Sequence, residues 1–287
     1  MFSIRLLTAF MLALLIFTSF SSAQKMTADD IVAKHLDSIG TTKAREEIKS
    51  QIILSDVKFS NQGLRVGSGK AVFASDAKRL LVGMNFEIND YPVDRFAFDG
   101  KKTRVGFIRP GVRSVLGGFL LSYDNILKEG LLSGTLSSSW SLLDTKTRRA
   151  NLKYEGTKKI DGNEVYIIDY SPKGGSDVDI KLYFDANNYR HIRTEYSRVI
   201  AARQGSDINN SAGQSADRYR LTEDFSGFQK MGDLTLPSVY KLSYSYAGTS
   251  TTQIARNSNR EAVWDFKITS FSNNQILEDP SFDIDSK

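Results

Sequence analysis

A period of two that returns along nearly the whole chain constrains this sequence more than anything else in it. Leu80, Val82, Met84 and Phe86 share one phase, while Leu81, Gly83, Asn85 and Glu87 share the other. Val178, Ile180, Leu182 and Phe184 alternate with Asp179, Lys181, Tyr183 and Asp185. Tyr240, Leu242, Tyr244 and Tyr246 oppose Lys241, Ser243 and Ser245, and Trp264, Phe266 and Ile268 alternate with Asp265 and Lys267. Side chains on a strand point to opposite faces in turn, so each run predicts a strand with one apolar and one wet face, the mark of antiparallel sheet. Turn signals divide the runs: Asp99-Gly100, Asp161-Gly162, Lys173-Gly174-Gly175, Ala186-Asn187-Asn188 and Met231-Gly232-Asp233. Counting them gives about ten to twelve strands in meander order. No helix-length crossover alternates with the strands, which excludes a parallel α/β sheet.

Two segments depart from the rhythm. Thr27-Ala28-Asp29-Asp30 predicts a capped helix start, with Thr27 as N-cap and Asp30 in the reciprocal position. Ile31, Val32, His35, Leu36 and Ile39 follow at helical spacing, and Gly40 ends the pattern. His35 on that stripe reads as a packed histidine without chemistry. Between Phe119 and Leu143 the residues Phe119, Leu120, Tyr123, Ile126, Leu127, Leu131 and Leu132 recur at three and four, and Leu136, Trp140 and Leu143 continue loosely. This predicts one or two helices interrupted around Gly130 to Gly134. A polar stretch from Gly205 to Asp217 reads as a hairpin loop. No period of repeat length occurs, so residues 24–287 are expected to form a single domain.

The N-terminus bears a short basic start, an apolar run from Leu6 to Phe20 and the small residues Ser21-Ser22-Ala23. That pattern predicts a signal peptide over 1–23, cleaved after Ala23; the alternative is an uncleaved anchor. The 287 residues contain no Cys, which excludes disulfides, thiolate metal sites and a lipid-modified N-terminal Cys. Export without Cys points to a bacterial periplasm. His35 and His191 are the only two histidines, too few for a multi-histidine metal site. No Gly-x-Ser-x-Gly elbow, phosphate-binding glycine loop or His-Glu-x-x-His pair occurs. His191, Arg193 and Glu195 are expected on one strand face, the sole grouping of acid, base and imidazole in the chain. The reading is therefore no enzyme, no cofactor and no metal. The net charge of +5 is dispersed over Lys101-Lys102, Lys146 to Arg149, Lys158-Lys159 and Arg190 to Arg193. Such scatter fits solvated strand ends or contacts with lipid phosphates, and argues against a nucleic-acid groove.

Size then raises a question of filling. About eight strands close a barrel that side chains can just fill, whereas about eleven one-sided strands enclose more space than that. Either the two amphipathic segments cover the sheet completely, or they leave an apolar pocket suited to acyl chains. The residues expected to line such a ligand site are Leu80, Val82, Met84, Phe86, Val178, Ile180, Leu182, Phe184, Tyr240, Leu242, Tyr244, Trp264, Phe266 and Ile268. Phe119, Leu120, Tyr123, Ile126, Leu127 and Leu131 would form the lid.

The order of elements resembles the periplasmic carriers of the LolA/LolB type, which sort outer-membrane lipoproteins. The resemblance rests on the helix Ala28 to Ile39, then Gly69-Lys70-Ala71-Val72-Phe73, Arg79-Leu80-Leu81-Val82 and Phe98-Asp99-Gly100-Lys101-Lys102-Thr103. It continues in Val165 to Pro172, Leu182-Tyr183-Phe184-Asp185, Leu236-Pro237 and Ile268 to Asn273 with Phe282. It implies an incomplete antiparallel β-barrel with helices over an apolar concave face that receives lipoprotein acyl chains or other lipids. It also implies a monomeric carrier or chaperone between an inner-membrane donor and an outer-membrane acceptor. Ala74-Ser75 stand where the carriers have an Arg-Pro pair, so a relative handling a different lipid, or one that only senses it, fits as well. The rival classes are an exported binding or structural module and an outer-membrane-associated β protein, the latter disfavoured by charges such as Asp179, Lys181, Asp265 and Lys267 on the second face.

Overall fold

A computed structural model describes residues 26–62, 65–201, 216–248 and 260–284. The signal segment and most of the polar stretch 205–217 lie outside the described residues. One sheet of twelve strands dominates, antiparallel at every pairing. The first five strands are β1 (Ser50–Asn61), β2 (Arg65–Asp76), β3 (Leu80–Phe86), β4 (Val93–Phe98) and β5 (Thr103–Val105). They meander outward to one edge. The chain then crosses to the opposite edge and returns through β6 (Asn151–Ile160), β7 (Asn163–Ser171), β8 (Asp179–Asp185), β9 (His191–Ile200), β10 (Asp217–Met231), β11 (Leu234–Ala247) and β12 (Arg260–Asn273). β12 pairs with β1, with Phe59 opposite Trp264 and Val57 opposite Phe266, and thereby joins the two meanders. The edge strands β5 and β6 do not pair, so the sheet is an open, incomplete barrel. The five turn signals of the sequence all fall between consecutive strands.

Alternation decides which face is buried. Leu80, Val82, Met84 and Phe86 are buried, whereas Leu81, Gly83 and Asn85 are half-buried or exposed. The ring of Phe73 on β2 lies 5.8 Å from that of Tyr240 on β11, although β1 and β12 run between those strands. Rings meeting across two intervening strands require the sheet to curve toward this face. Its apolar side chains form one continuous cluster with those of the helices.

Helix α1 (Ala28–Ile39) packs on that inner face and begins as its sequence dictates. Thr27 Oγ1 accepts from the Asp30 amide at 3.2 Å, and the Asp30 carboxylate accepts from the Thr27 amide at 3.0 Å. Ile31, Val32, His35 and Ile39 are buried. A short helix α2 (Thr42–Glu46), which carries no apolar stripe, supplies Arg45, whose guanidinium bonds the Leu36 and Gly40 carbonyls at the end of α1.

The crossing segment between β5 and β6 spans the inner face as a strap. It contains α3 (Val115–Ser122), α4 (Asn125–Lys128), 3-10 turns at Gly134–Leu136 and Ser141–Asp144, and α5 (Thr145–Arg148). Helix is thus confined to the two ends, and the loose apolar periodicity from Leu136 to Leu143 does not form an α-helix. Two local causes are visible. Gly130 has φ +64°, and a Cβ there would fall 2.0 Å from the Ser139 carbonyl oxygen. Ser137, Ser138 and Ser139 bond one another's side chains and amides or reach Ser75, in competition with helical backbone pairing. Leu143, expected on the apolar stripe, is consequently 40% exposed. Among the described residues no helix is long and apolar enough to cross a membrane.

Candidate functional site

All fourteen residues expected to line the ligand site lie on the inner face, none more than 8% exposed. Of the six expected lid residues, all of them on the strap, Phe119, Leu120, Ile126, Leu127 and Leu131 are buried and Tyr123 is partly buried. Phe119 meets Tyr244 edge to face at 5.6 Å, and Trp140 stacks on His191 at 4.9 Å. Sheet, strap and α1 therefore fill the space between them with their own side chains. A cavity of about 30 Å³ remains where Thr135 and Trp140 meet Ile39, Gln51 and Leu234. That is room for a water molecule, whereas open clefts of about 400 and 760 Å³ lie at the rim where Leu36 of α1 faces Leu143 and Asp144 of the strap.

The joint between strap and sheet is polar. The Ser133 amide donates to Glu223 Oε1 at 2.7 Å, and the hydroxyls of Tyr240 and Tyr196 donate to Oε1 and Oε2 at 2.7 and 2.6 Å. Glu223 is wholly buried, and burial pushes its carboxyl up to about 7. A second buried carboxyl lies on β4. Asp94, 1% exposed, accepts from Tyr91 at 2.6 Å through Oδ2, while its Oδ1 makes no hydrogen bond; burial raises it to about 7 as well. Elsewhere the Tyr170 hydroxyl bonds Ser141 at 2.5 Å and Glu129 at 2.7 Å, and the Ser138 amide donates to Ser75 Oγ at 2.9 Å. Thr135 Oγ1 and Gln51 Oε1, both facing the small cavity, make no hydrogen bond, nor does His191 Nδ1 beneath Gly134.

Both histidines belong to this joint. His35 Nδ1 donates to the Tyr189 carbonyl at 3.0 Å, so its Nε2 is the atom that accepts from the Trp140 indole at 3.3 Å. Burial lowers His35 to about 4 and holds His191 well below the usual histidine range. His35 is therefore a packed neutral imidazole, as its place on the apolar stripe predicts. The expected grouping of His191 with Arg193 and Glu195 does not form. A bulge opposite Tyr183 and Phe184 inserts one residue into β9, which turns His191, Thr194 and Tyr196 inward. Arg193 and Glu195 go to the outer face, where they bond Asp224 and meet Arg220.

Glu223 and Asp94 were not singled out from the sequence, although the signal was there. Glu223 stands between Leu221 and Phe225, and Asp94 stands two residues before Phe96, each a carboxylate in the apolar phase of its strand. The basic groups stay outside: Lys34 lies 4.7 Å over the Tyr189 ring, and Lys158 lies 4.2 Å over that of Tyr183.

No family model and no curated protein matches the chain. Solved structures do. The chain is similar to a LolA superfamily protein from Nitrosomonas europaea at 13% identity and a TM-score of 0.46, over 91% of this chain and 99% of that one. It is similar to a DUF1329 family protein from Desulfovibrio piger at 10% identity and a TM-score of 0.45, over 90% and 98% of the two chains. A domain from Vibrio parahaemolyticus described as an outer membrane lipoprotein-sorting protein gives 11% identity, a TM-score of 0.45, and coverage of 90% and 98%.

Proposed function

We propose that this protein binds lipid acyl chains, as free lipid or as the acyl part of a lipoprotein, on the inner face of its open sheet. In this reading the protein is a periplasmic, non-catalytic binder or carrier, exported by a signal peptide cleaved after Ala23. The observation that carries it is the nature of the cover. The strap closes an extended apolar face, yet it is attached through hydrogen bonds from single side chains and amides, and polar atoms at Thr135, Gln51 and His191 lack partners in the joint. The sheet is tied by continuous backbone ladders, whereas the strap is held to it by apolar packing and these few polar bonds, which makes the strap the part that can yield. An acyl chain that displaces it would cover the same apolar face of the sheet in its place. The runs from Gly69 to Phe73 and from Phe98 to Thr103, which resemble those of the lipoprotein-sorting carriers, support the same reading.

A second reading follows from the near-complete burial of the inner face: a static core in an exported binding or structural module. Titration of the purified mature protein with a fluorescent fatty acid separates the two. Saturable binding, reversed by an unlabelled fatty acid and accompanied by a higher Tm, is the expected result. No saturable binding would assign these residues to a plain core.

A further inference from the structure

Glu223 accepts three hydrogen bonds, and they differ in what holds the donor. Tyr196 and Tyr240 stand on β9 and β11, on either side of β10, so their hydroxyls stay with the sheet whatever the strap does. The third donor is the Ser133 backbone amide, which belongs to the strap. Ser133 is held at φ +71°, outside the ordinary helical and extended regions. The following Gly134 lies so close to the sheet that a Cβ there would be 2.9 Å from the Phe225 ring and 3.1 Å from His191. This turn cannot yield to an acyl chain while its amide stays on Glu223. Whatever displaces the strap therefore removes one donor of three from a carboxyl set deep in an apolar face, among Leu221, Phe225, Tyr196 and Tyr240.

We infer that the ligand itself supplies the missing donor: it is an acyl lipid carrying a hydroxyl or amide N–H that reaches Glu223 Oε1 in place of the Ser133 amide, and Glu223 is a specificity-determining residue. This rests on the lipid-binding reading above and narrows it. A plain hydrocarbon chain would leave Oε1 short of a donor in a site that water reaches poorly, and a site built to hydrogen-bond discriminates against the analogue that lacks the group.

The test is displacement of a bound fluorescent fatty acid from the purified full mature chain by three unlabelled competitors: octadecanoic acid, 12-hydroxyoctadecanoic acid and octadecanamide. A donor-bearing competitor is expected to displace the probe at roughly tenfold lower concentration than octadecanoic acid. The hydroxyl arm and the amide arm show which donor the site takes. The preference should persist in Glu223→Gln, whose carbonyl oxygen still accepts, and vanish in Glu223→Leu. Equal displacement by all three competitors in the unaltered protein overturns the inference while leaving lipid binding intact, as does a preference that survives in Glu223→Leu. Failure of the probe and all competitors to bind overturns the lipid reading itself. The comparison within the unaltered protein does not depend on either variant folding.

Discussion

Four titratable side chains under the strap pull stability in opposite directions as pH changes. Glu223 and Asp94 are raised to about 7 by burial, so the folded state holds their protons where the unfolded chain has released them. Their contribution is full below the unfolded carboxylate range and is lost as pH rises toward 7. His35 is lowered to about 4, and His191 is lowered too, so the folded state refuses protons that the unfolded chain takes up. The histidine contribution is full above about 6.5 and is lost as pH falls toward 4. The two slopes overlap between about 4.5 and 6.5 and largely offset each other there. Glu223→Gln removes one of the carboxyl terms. Its stability relative to the unaltered protein should climb with pH by up to about 1.4 kcal/mol per unit between about 4.5 and 7. Urea unfolding at a series of pH values measures this, and parallel profiles would show that Glu223 does not hold its proton. The two carboxylates also mark the limit of reading residues singly. The alternation names the apolar phase, but a polar residue within that phase stands out only when strand and face are already known.

At the scale of the element, the strap is the part whose role is most open to direct test. Ser75 Oγ on β2 and Ser138 Oγ on the strap are 3.1 Å apart, so sulfur atoms in their places would approach each other closely enough to test for a disulfide. The chain has no Cys of its own, so a Ser75→Cys, Ser138→Cys double variant has one pairing available. Oxidation should tie the strap to the sheet and abolish fatty-acid uptake, and a reductant should restore it. Uptake unaffected by the crosslink would place the ligand elsewhere. How far each element could be read follows from what its sequence had to specify. Helix α1 is explicit because cap, stripe and stop are all local: Thr27 and Asp30, then Ile31 to Ile39, then Gly40. The strap is legible only as far as its glycines: helix stops before Gly130 as the sequence predicts, but Leu136 to Leu143 are spaced for a helix that the serine run forbids. The β9 bulge was invisible for another reason: a single inserted residue leaves no compositional trace, yet it reverses the face of every residue on one side of it.

For the whole molecule, alternation and turns yield a strand count and a meander, and the structure adds the pairing that they cannot contain. That pairing joins β12 to β1, strands about two hundred positions apart, along eleven registered residue pairs. Deleting residues 260–287 should therefore do more than shorten an edge. It would strip cross-strand partners from both β1 and β11 and remove Trp264, Phe266 and Ile268 from the core. The expected outcome is loss of the cooperative thermal transition in circular dichroism, and a truncated chain that melts cooperatively near the parent Tm would refute it. The same seam governs the order of events during biogenesis. Contacts between distant strands form late, since a long loop must close before they reward it. In the export reading proposed above, a polypeptide threaded through a membrane pore N-terminus first would present β1 well before β12 emerges, and for that interval the strand would wait with an unpaired backbone edge of the kind that invites aggregation. Completion of the sheet is thereby coupled to arrival of its last strand, which leaves a window in which a holdase would be most useful.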